Sequence, residues 1–218
     1  MFSDALPASA TLVEVGLRDG LQSVDTVVRT DEKLEILQGV LDAGFTTVEI
    51  TSFAHPRVLP QFADAERVIA EAPRVRGVHY KALVPNLRGA QRACATDIDE
   101  IVVVVPVDET MARKNQNATP EQLLSEFERI VVEARRCDKK VSVAVATAFF
   151  APCRGPVGAD ELDAVVARVV DAGAHSLYLA GTTGMETPVD FMDGVSRVKR
   201  NYPDIGVGVH QHNRNGIG

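Results

Sequence analysis

The chain has 218 residues, 45 % of them hydrophobic, which is enough to bury a full core. Its net charge of −7 argues against nucleic-acid or anionic-membrane partners. No run approaches the ~18 apolar residues of a membrane span, and the first ten residues lack the basic start and apolar segment of a signal peptide. Cys94, Cys137 and Cys153 show no CxxC spacing, so neither a disulfide frame nor a cysteine zinc site is expected, and a reducing, cytoplasmic setting fits.

Short β-rich runs alternate with helical patterns along the whole chain. Strands are predicted at Thr11–Val15, Thr46–Ile50, Val78–Val84, Glu100–Val105, Val141–Ala146, His175–Ala180 and Gly206–His210. Their starts fall roughly 20–40 residues apart, the spacing of βα units rather than hairpins. Between them, Asp31–Leu41 shows Leu34, Leu37 and Leu41 on one face. Leu123, Phe127, Ile130, Val131 and Ala134 recur at helical spacing behind Thr119-Pro120-Glu121-Gln122, a capping threonine with proline and glutamine at the first and third helical positions. Asp160–Val170 turns Leu162, Val165, Val166, Val169 and Val170 inward, and Thr187-Pro188 opens a helix with Phe191, Met192, Val195 and Val198 on its buried stripe.

Leu41-Asp42-Ala43-Gly44 before the second strand is echoed by Val170-Asp171-Ala172-Gly173 before the sixth, each a helix ending on glycine and feeding a strand. Such repetition favours an α/β fold of the TIM (β/α)₈ barrel type. Residues 1–218 contain no linker or low-complexity segment and read as a single domain. Seven strands and six intervening helices stop short of a complete barrel, which needs an eighth strand and roughly 250 residues. The expectation is a barrel ending after strand seven and lacking a C-terminal portion. The first and seventh strands would then present open edges, which favour association of copies into a homo-oligomer.

In a strand, residues two apart point to the same side, so His210 and His212 converge at the C-terminal end of the seventh strand. Barrels of this kind keep their active sites at that end, and Asp19 follows the first strand there. Taken alone, a His-x-His or an Arg–Asp pair is more often structural. Together, one carboxylate and two imidazoles make a ligand set for a divalent ion with open positions. Arg18, donor-only and cationic, is suited to stabilising a developing enolate. Glu49, at the end of the second strand, needs a partner inside a barrel, and Arg18 is available; its expected role is to position Arg18. His210 has a second conceivable role as a proton relay, although a ligating imidazole is a poor base. Gln22, Ser52, His55, Asn86, Asn115 and Asn117 lie after strand ends, where each suits a polar substrate or the loop backbone equally. Cys153 reads as a buried thiol with no basic partner, and His79 and His175 as structural.

The stretch Val13-Glu14-Val15-Gly16-Leu17-Arg18-Asp19-Gly20-Leu21-Gln22 resembles the "EVGPRDGLQ" signature of 3-hydroxy-3-methylglutaryl-CoA lyases. Glu49–Phe53 with Pro60-Gln61-Phe62-Ala63-Asp64 is similar to that family's "ETTSF…VPQ.AD". Val84-Pro85-Asn86, Asn115-Gln116-Asn117, Thr182–Gly184 with Thr187-Pro188, and His210–Gly216 continue the likeness in order. The resemblance implies a TIM barrel in which Asp19, His210 and His212 bind Mg²⁺ or Mn²⁺. Arg18, Glu49 and His210 would be the catalytic groups, and Gln22, Ser52 and Asn86 would face an acyl-CoA substrate. The family's fourth ligand, an asparagine, and its catalytic cysteine fall after strand seven. Four departures stand out: Leu17 for proline, Gly181 for the aspartate of "GDTxG", Arg154 for the acid of "GCPYEG", and Asn213 for the usual aspartate. The implied reaction is metal-dependent retro-aldol cleavage of 3-hydroxy-3-methylglutaryl-CoA or a related 3-hydroxyacyl-CoA to acetyl-CoA and acetoacetate. The alternatives are a synthase condensing acetyl-CoA with a 2-oxo acid, similar to isopropylmalate synthases, and a non-catalytic barrel that binds metal or acyl-CoA.

Overall fold

The computed structural model describes residues 7–214 and residue 216. In chain order the strands are β1 (Thr47–Ser52), β2 (His79–Leu83), β3 (Glu100–Pro106), β4 (Lys140–Ala146), β5 (Phe150–Ala151), β6 (Gly155–Pro156), β7 (Ser176–Gly181) and β8 (Gly206–Gln211). Six of them form a parallel sheet in the order β1-β2-β3-β4-β7-β8, while β5 and β6 make a small antiparallel hairpin. The helices are α1 (Thr30–Asp42), α2 (Ala65–Glu71), α3 (Leu87–Cys94), α4 (Glu109–Gln116), α5 (Pro120–Arg136), α6 (Ala159–Ala172) and α7 (Pro188–Asn201). Sequential parallel strands with helical crossovers are the barrel pattern the sequence predicts.

Alternation along the strands sorts the two faces of the sheet. Val48, Ile50, Ile101, Val103, Val105, Val141, Val143, Val145, Leu177 and Leu179 belong to the apolar core shared with the helices. That core takes Leu37 from α1, Phe127, Ile130, Val131 and Ala134 from α5, and Leu162, Val165, Val166 and Val169 from α6. The opposite parity carries Glu49, Lys81, Glu100 and Ser142, all buried and polar. Buried charge on one face and aliphatic side chains on the other fit a sheet that encloses an interior.

The sheet is rolled. Glu14 bridges Val48 beside β1, six strand positions from β8. In a flat sheet six steps of ~4.8 Å would part them by ~29 Å, more than the five residues from Glu14 to Asp19 can cross at ~3.4 Å each. Yet Asp19 Oδ2 lies 3.7 Å from His210 Nε2 on β8.

Four expectations need correcting. The predicted first strand, Thr11–Val15, is reduced to the single Glu14 bridge, with Glu14 N donating to Thr47 O and Glu49 N to Glu14 O. Thr11 and Leu12 are exposed and take no part in the sheet. Two helices, α4 and α5, occupy the single β3–β4 crossover, because the left-handed Asn117 (φ 51°) ends one before Thr119 and Pro120 begin the next. Cys94 and Cys137 form a disulfide, against the expectation of none: α3 packs on α5 and brings their Cα atoms to 5.7 Å. The stripe of α7 is also shallower than predicted, since Val198 is buried but Phe191, Met192 and Val195 only partly so. The repeated glycines behave as expected, with φ of 90° at Gly44 and 98° at Gly173, a conformation that glycine adopts without strain.

Candidate metal centre and arginine site

The Gly16–Gly20 segment winds into one π-helical turn after the Glu14 bridge, with Asp19 N donating to Val15 O at 2.7 Å. This turn points the adjacent Arg18 and Asp19 side chains at the same end of the sheet. Arg18 is buried and makes a two-pronged contact with Glu49 of β1: Nε donates to Oε1 at 2.6 Å and Nη2 to Oε2 at 3.4 Å. Its Nη1 donates to Asp19 Oδ1 at 2.5 Å. Burial works against the Arg18 charge, but Glu49 and then Asp19 outweigh it and raise its pKa. Arginine suits this position because its planar fork spans two carboxylates at once.

Asp19 turns its other oxygen to β8. Oδ2 lies 3.4 Å from His212 Nε2 and 3.7 Å from His210 Nε2. The three donor atoms lie within 4.8 Å of one another, the one such group of three among the described residues. His210 and His212 meet edge to face, with ring centroids 5.0 Å apart. Donors bound at ~2.0–2.2 Å to one ion can stand no more than about 4.4 Å apart, so the two Asp19 distances fit a shared ion. His212 Nδ1 lies 2.8 Å from the Thr182 carbonyl oxygen. A carbonyl only accepts, so Nδ1 carries a proton, and Nε2 is the atom turned to Asp19 that would ligate a metal. The His210 and His212 imidazoles, followed by Arg18, hold the Asp19 carboxyl well below the usual range against the effect of burial. Asp19 in turn raises the pKa of His212, with burial opposing and the Thr182 carbonyl assisting.

The remaining predicted residues divide. Gln22 is exposed just past the turn. Ser52 is fully buried at the end of β1, and its hydroxyl accepts from Ala54 N at 3.2 Å. Asn86 caps α3, its Oδ1 accepting from Gly89 N at 2.9 Å. His55 Nδ1 accepts from Arg57 N, and Asn115 and Asn117 belong to the end of α4. Cys153 corrects its expectation: it is exposed on the β5–β6 hairpin, with Lys114 Nζ 3.6 Å from its sulfur. Two-residue strands are too short to leave a periodic signal, so the sequence could not show this exposure. His79 is structural as expected, its Nε2 donating to Glu100 Oε2 at 2.7 Å. Arg154 pairs with Glu161 at 2.7 Å. The Thr182 carbonyl was not foreseen, since a backbone oxygen leaves no mark in side-chain chemistry. Of the last matched stretch, Asn215 lies outside the described residues.

Comparison with known proteins places the chain in a family. A family profile described as HMGL-like matches residues 9–218. The cytoplasmic 3-hydroxy-3-methylglutaryl-CoA lyase of Rattus norvegicus is 33 % identical over 97 % of this chain and 62 % of its own length. The mitochondrial hydroxymethylglutaryl-CoA lyase of Homo sapiens is 30 % identical over 97 % of this chain and 65 % of its own. The chain therefore spans less than two thirds of the length of these relatives. Among solved structures, an HMG-CoA lyase from Acenitobacter baumannii in complex with coenzyme A and 3-methylmalate superposes with a TM-score of 0.88. It is 33 % identical, over 95 % of this chain and 68 % of that one. The hydroxymethylglutaryl-CoA lyase of Pseudomonas aeruginosa superposes with a TM-score of 0.92 at 27 % identity, covering 97 % and 71 %. A sequential parallel α/β barrel sheet, an Arg–Asp turn facing His-x-His, and a family match over nearly all its residues together mean that this chain belongs to the HMGL-like family, the family of the 3-hydroxy-3-methylglutaryl-CoA lyases.

Proposed function

We propose that this chain acts as a metal-dependent carbon–carbon lyase that cleaves 3-hydroxy-3-methylglutaryl-CoA, or a related 3-hydroxyacyl-CoA, to acetyl-CoA and acetoacetate. The observation that carries the reading is the meeting of Asp19, His210 and His212 around one point, with Arg18 hydrogen-bonded to Asp19. The relatives being lyases favours cleavage over the synthase reading. Asp19 Oδ2, His210 Nε2 and His212 Nε2 would hold Mg²⁺ or Mn²⁺, a choice their mixed oxygen and nitrogen set allows. Such an ion supplies Lewis acidity, lowering the pKa of the substrate's 3-hydroxyl.

Loss of that proton to a base and breakage of the C2–C3 bond turn C3 into the ketone of acetoacetate. The bonding electrons remain on C2 as the enolate of acetyl-CoA, which is then protonated. Arg18 has five N–H donors, of which three go to Glu49 and Asp19. One N–H on each terminal nitrogen is left for the enolate oxygen. Glu49 acts by holding the guanidinium plane, and His210 serves as a ligand. Gln22 is assigned to the substrate; Ser52 and Asn86 are given to the loop and to the α3 cap.

The test is acetoacetate release from 3-hydroxy-3-methylglutaryl-CoA by the purified protein with Mn²⁺ or Mg²⁺, then with chelator. Metal-dependent release that vanishes in Asp19→Ala is the expected result. A protein that binds Mn²⁺ but releases no acetoacetate, and instead forms free CoA from acetyl-CoA and a 2-oxo acid, would replace the lyase reading with the synthase one.

A further inference from the structure

Side chains alternate along β8, so Gln211 points away from the interior that His210 and His212 face. Its register partner on β7 is Gly181. A Cβ at residue 181 would stand 1.9 Å from Gln211 Oε1 and 2.8 Å from Phe191 Cζ. The Gln211 amide therefore occupies the space of a side chain at 181, and glycine there is the condition for glutamine at 211. Gln211 Nε2 donates to the Glu186 carbonyl at 3.2 Å. The Glu186 side chain is itself buried, 2 % exposed, and one carboxylate oxygen accepts from Thr183 Oγ1 at 3.0 Å. Its other oxygen and Gln211 Oε1 are buried without a hydrogen-bond partner among the described residues. Buried polar groups of this kind are costly, and neither belongs to the site described above.

Both grip one short segment, Gly181 to Glu186, that carries the partners of His212. The Thr182 carbonyl accepts from His212 Nδ1–H at 2.8 Å, and the Gly181 carbonyl accepts from His212 N at 3.2 Å. Thr182 Oγ1 accepts from Thr147 N at 2.8 Å, tying the same segment to the end of β4. We propose that Gln211 and Glu186 are positioning residues that clamp this segment, so that Thr182 holds His212 in its Nδ1–H tautomer with Nε2 presented beside Asp19. The inference rests on the reading of Asp19, His210 and His212 as a metal site. In physical terms, a hydrogen bond on the outer nitrogen of a ligating imidazole fixes its tautomer and ring orientation, and its loss typically weakens metal binding about 10–100-fold.

The experiment uses the full chain with ¹⁵N-labelled histidine. It reads the His212 tautomer by NMR in the metal-free protein at a pH high enough for the ring to be neutral, Mn²⁺ affinity by electron paramagnetic resonance, and Tm. Gln211→Leu keeps the bulk and removes the amide. Gly181→Ala leaves Gln211 in the sequence but displaces it, and its backbone lies outside the left-handed region. Glu186→Ala removes the carboxylate, while Glu186→Gln keeps an acceptor for Thr183. The expected result is a mixture of His212 tautomers and a Mn²⁺ Kd about 10–100-fold higher in the first three variants, with Glu186→Gln near wild type. A lower Tm in those three variants with tautomer and Kd unchanged would make the clamp merely structural and overturn the proposal. Should Gln211→Leu fail to fold, Gly181→Ala and Glu186→Ala carry the same decision. If wild type binds Mn²⁺ no better than Asp19→Ala, the metal reading fails, and the tautomer still decides whether the clamp acts on His212.

Discussion

Arg18 is held by two carboxylates from different elements, and that arrangement decides what a substitution does. Glu49 takes two of its nitrogens and Asp19 a third, in a side chain only 10 % exposed. Lysine would keep the charge but deliver it as a compact ammonium that cannot span both carboxylates or present a planar pair of donors. Arg18→Lys is therefore expected to lower kcat about 10²–10³-fold, the usual effect of losing a donor to a developing oxyanion, while Mn²⁺ affinity changes by only a few-fold. Steady-state kinetics beside a Mn²⁺ titration checks this. A kcat within threefold of wild type would remove Arg18 from the chemistry. Ser52 and Asn86 make the complementary point. Ser52 closes β1 and Asn86 follows β2, where a substrate contact and a loop contact look alike in sequence, and each has a backbone N–H as its partner.

At the scale of elements, what the sequence revealed was what repeats or caps. The box at Thr119 and Gln122 forms as expected, Gln122 N donating to Thr119 Oγ1 at 3.2 Å and Thr119 N to Gln122 Oε1 at 2.9 Å. His210 and His212 were legible because a two-residue period needs only the strand. The π-helical turn at Gly16–Gly20 was not, since nothing in five residues separates it from an ordinary loop. The Cys94–Cys137 bond was hidden for a different reason: the cysteines are 43 residues apart and meet only because α3 packs along α5. Closing a loop of that length restricts the unfolded chain by up to ~4 kcal/mol in the chain-entropy account. Unreduced, denatured protein is accordingly expected to show one reactive thiol, Cys153, and reduced protein three. Reduction should also lower the urea midpoint. Three thiols before reduction would remove the bond.

Over the whole molecule, the acidic surface implied by a net charge of −7 encloses an interior that carries paired charge of both signs. Glu100 on β3 accepts from His79 Nε2 at 2.7 Å and pairs with Lys81 Nζ at 2.8 Å. Both partners lie on β2, and Lys81 also sits over the ring of Tyr178 on β7, 4.6 Å from its centroid. The network thus joins three strands through the space they enclose. Burial alone would raise the Glu100 pKa, but the His79 hydrogen bond and then Lys81 outweigh it and bring it to about 2 from an ordinary 4.5. A carboxylate depressed on folding stabilises the protein above its unfolded pKa and loses that contribution as pH falls through the folded one. The contribution, on the order of 3 kcal/mol for a shift of this size, should be intact above pH 5 and should disappear between about pH 4.5 and pH 2. Urea midpoints across that range should fall more steeply for wild type than for Glu100→Gln. At neutral pH Glu100→Gln should be less stable by about 3–5 kcal/mol, because it leaves the Lys81 ammonium buried without its counter-charge. The double variant Lys81→Met with Glu100→Gln should recover most of that loss, since a neutral interior needs no pairing. Parallel acid profiles for wild type and Glu100→Gln would show that the charges are solvated in solution. The interior would then be wet around Glu100, and the strands would owe their closure to the aliphatic face alone.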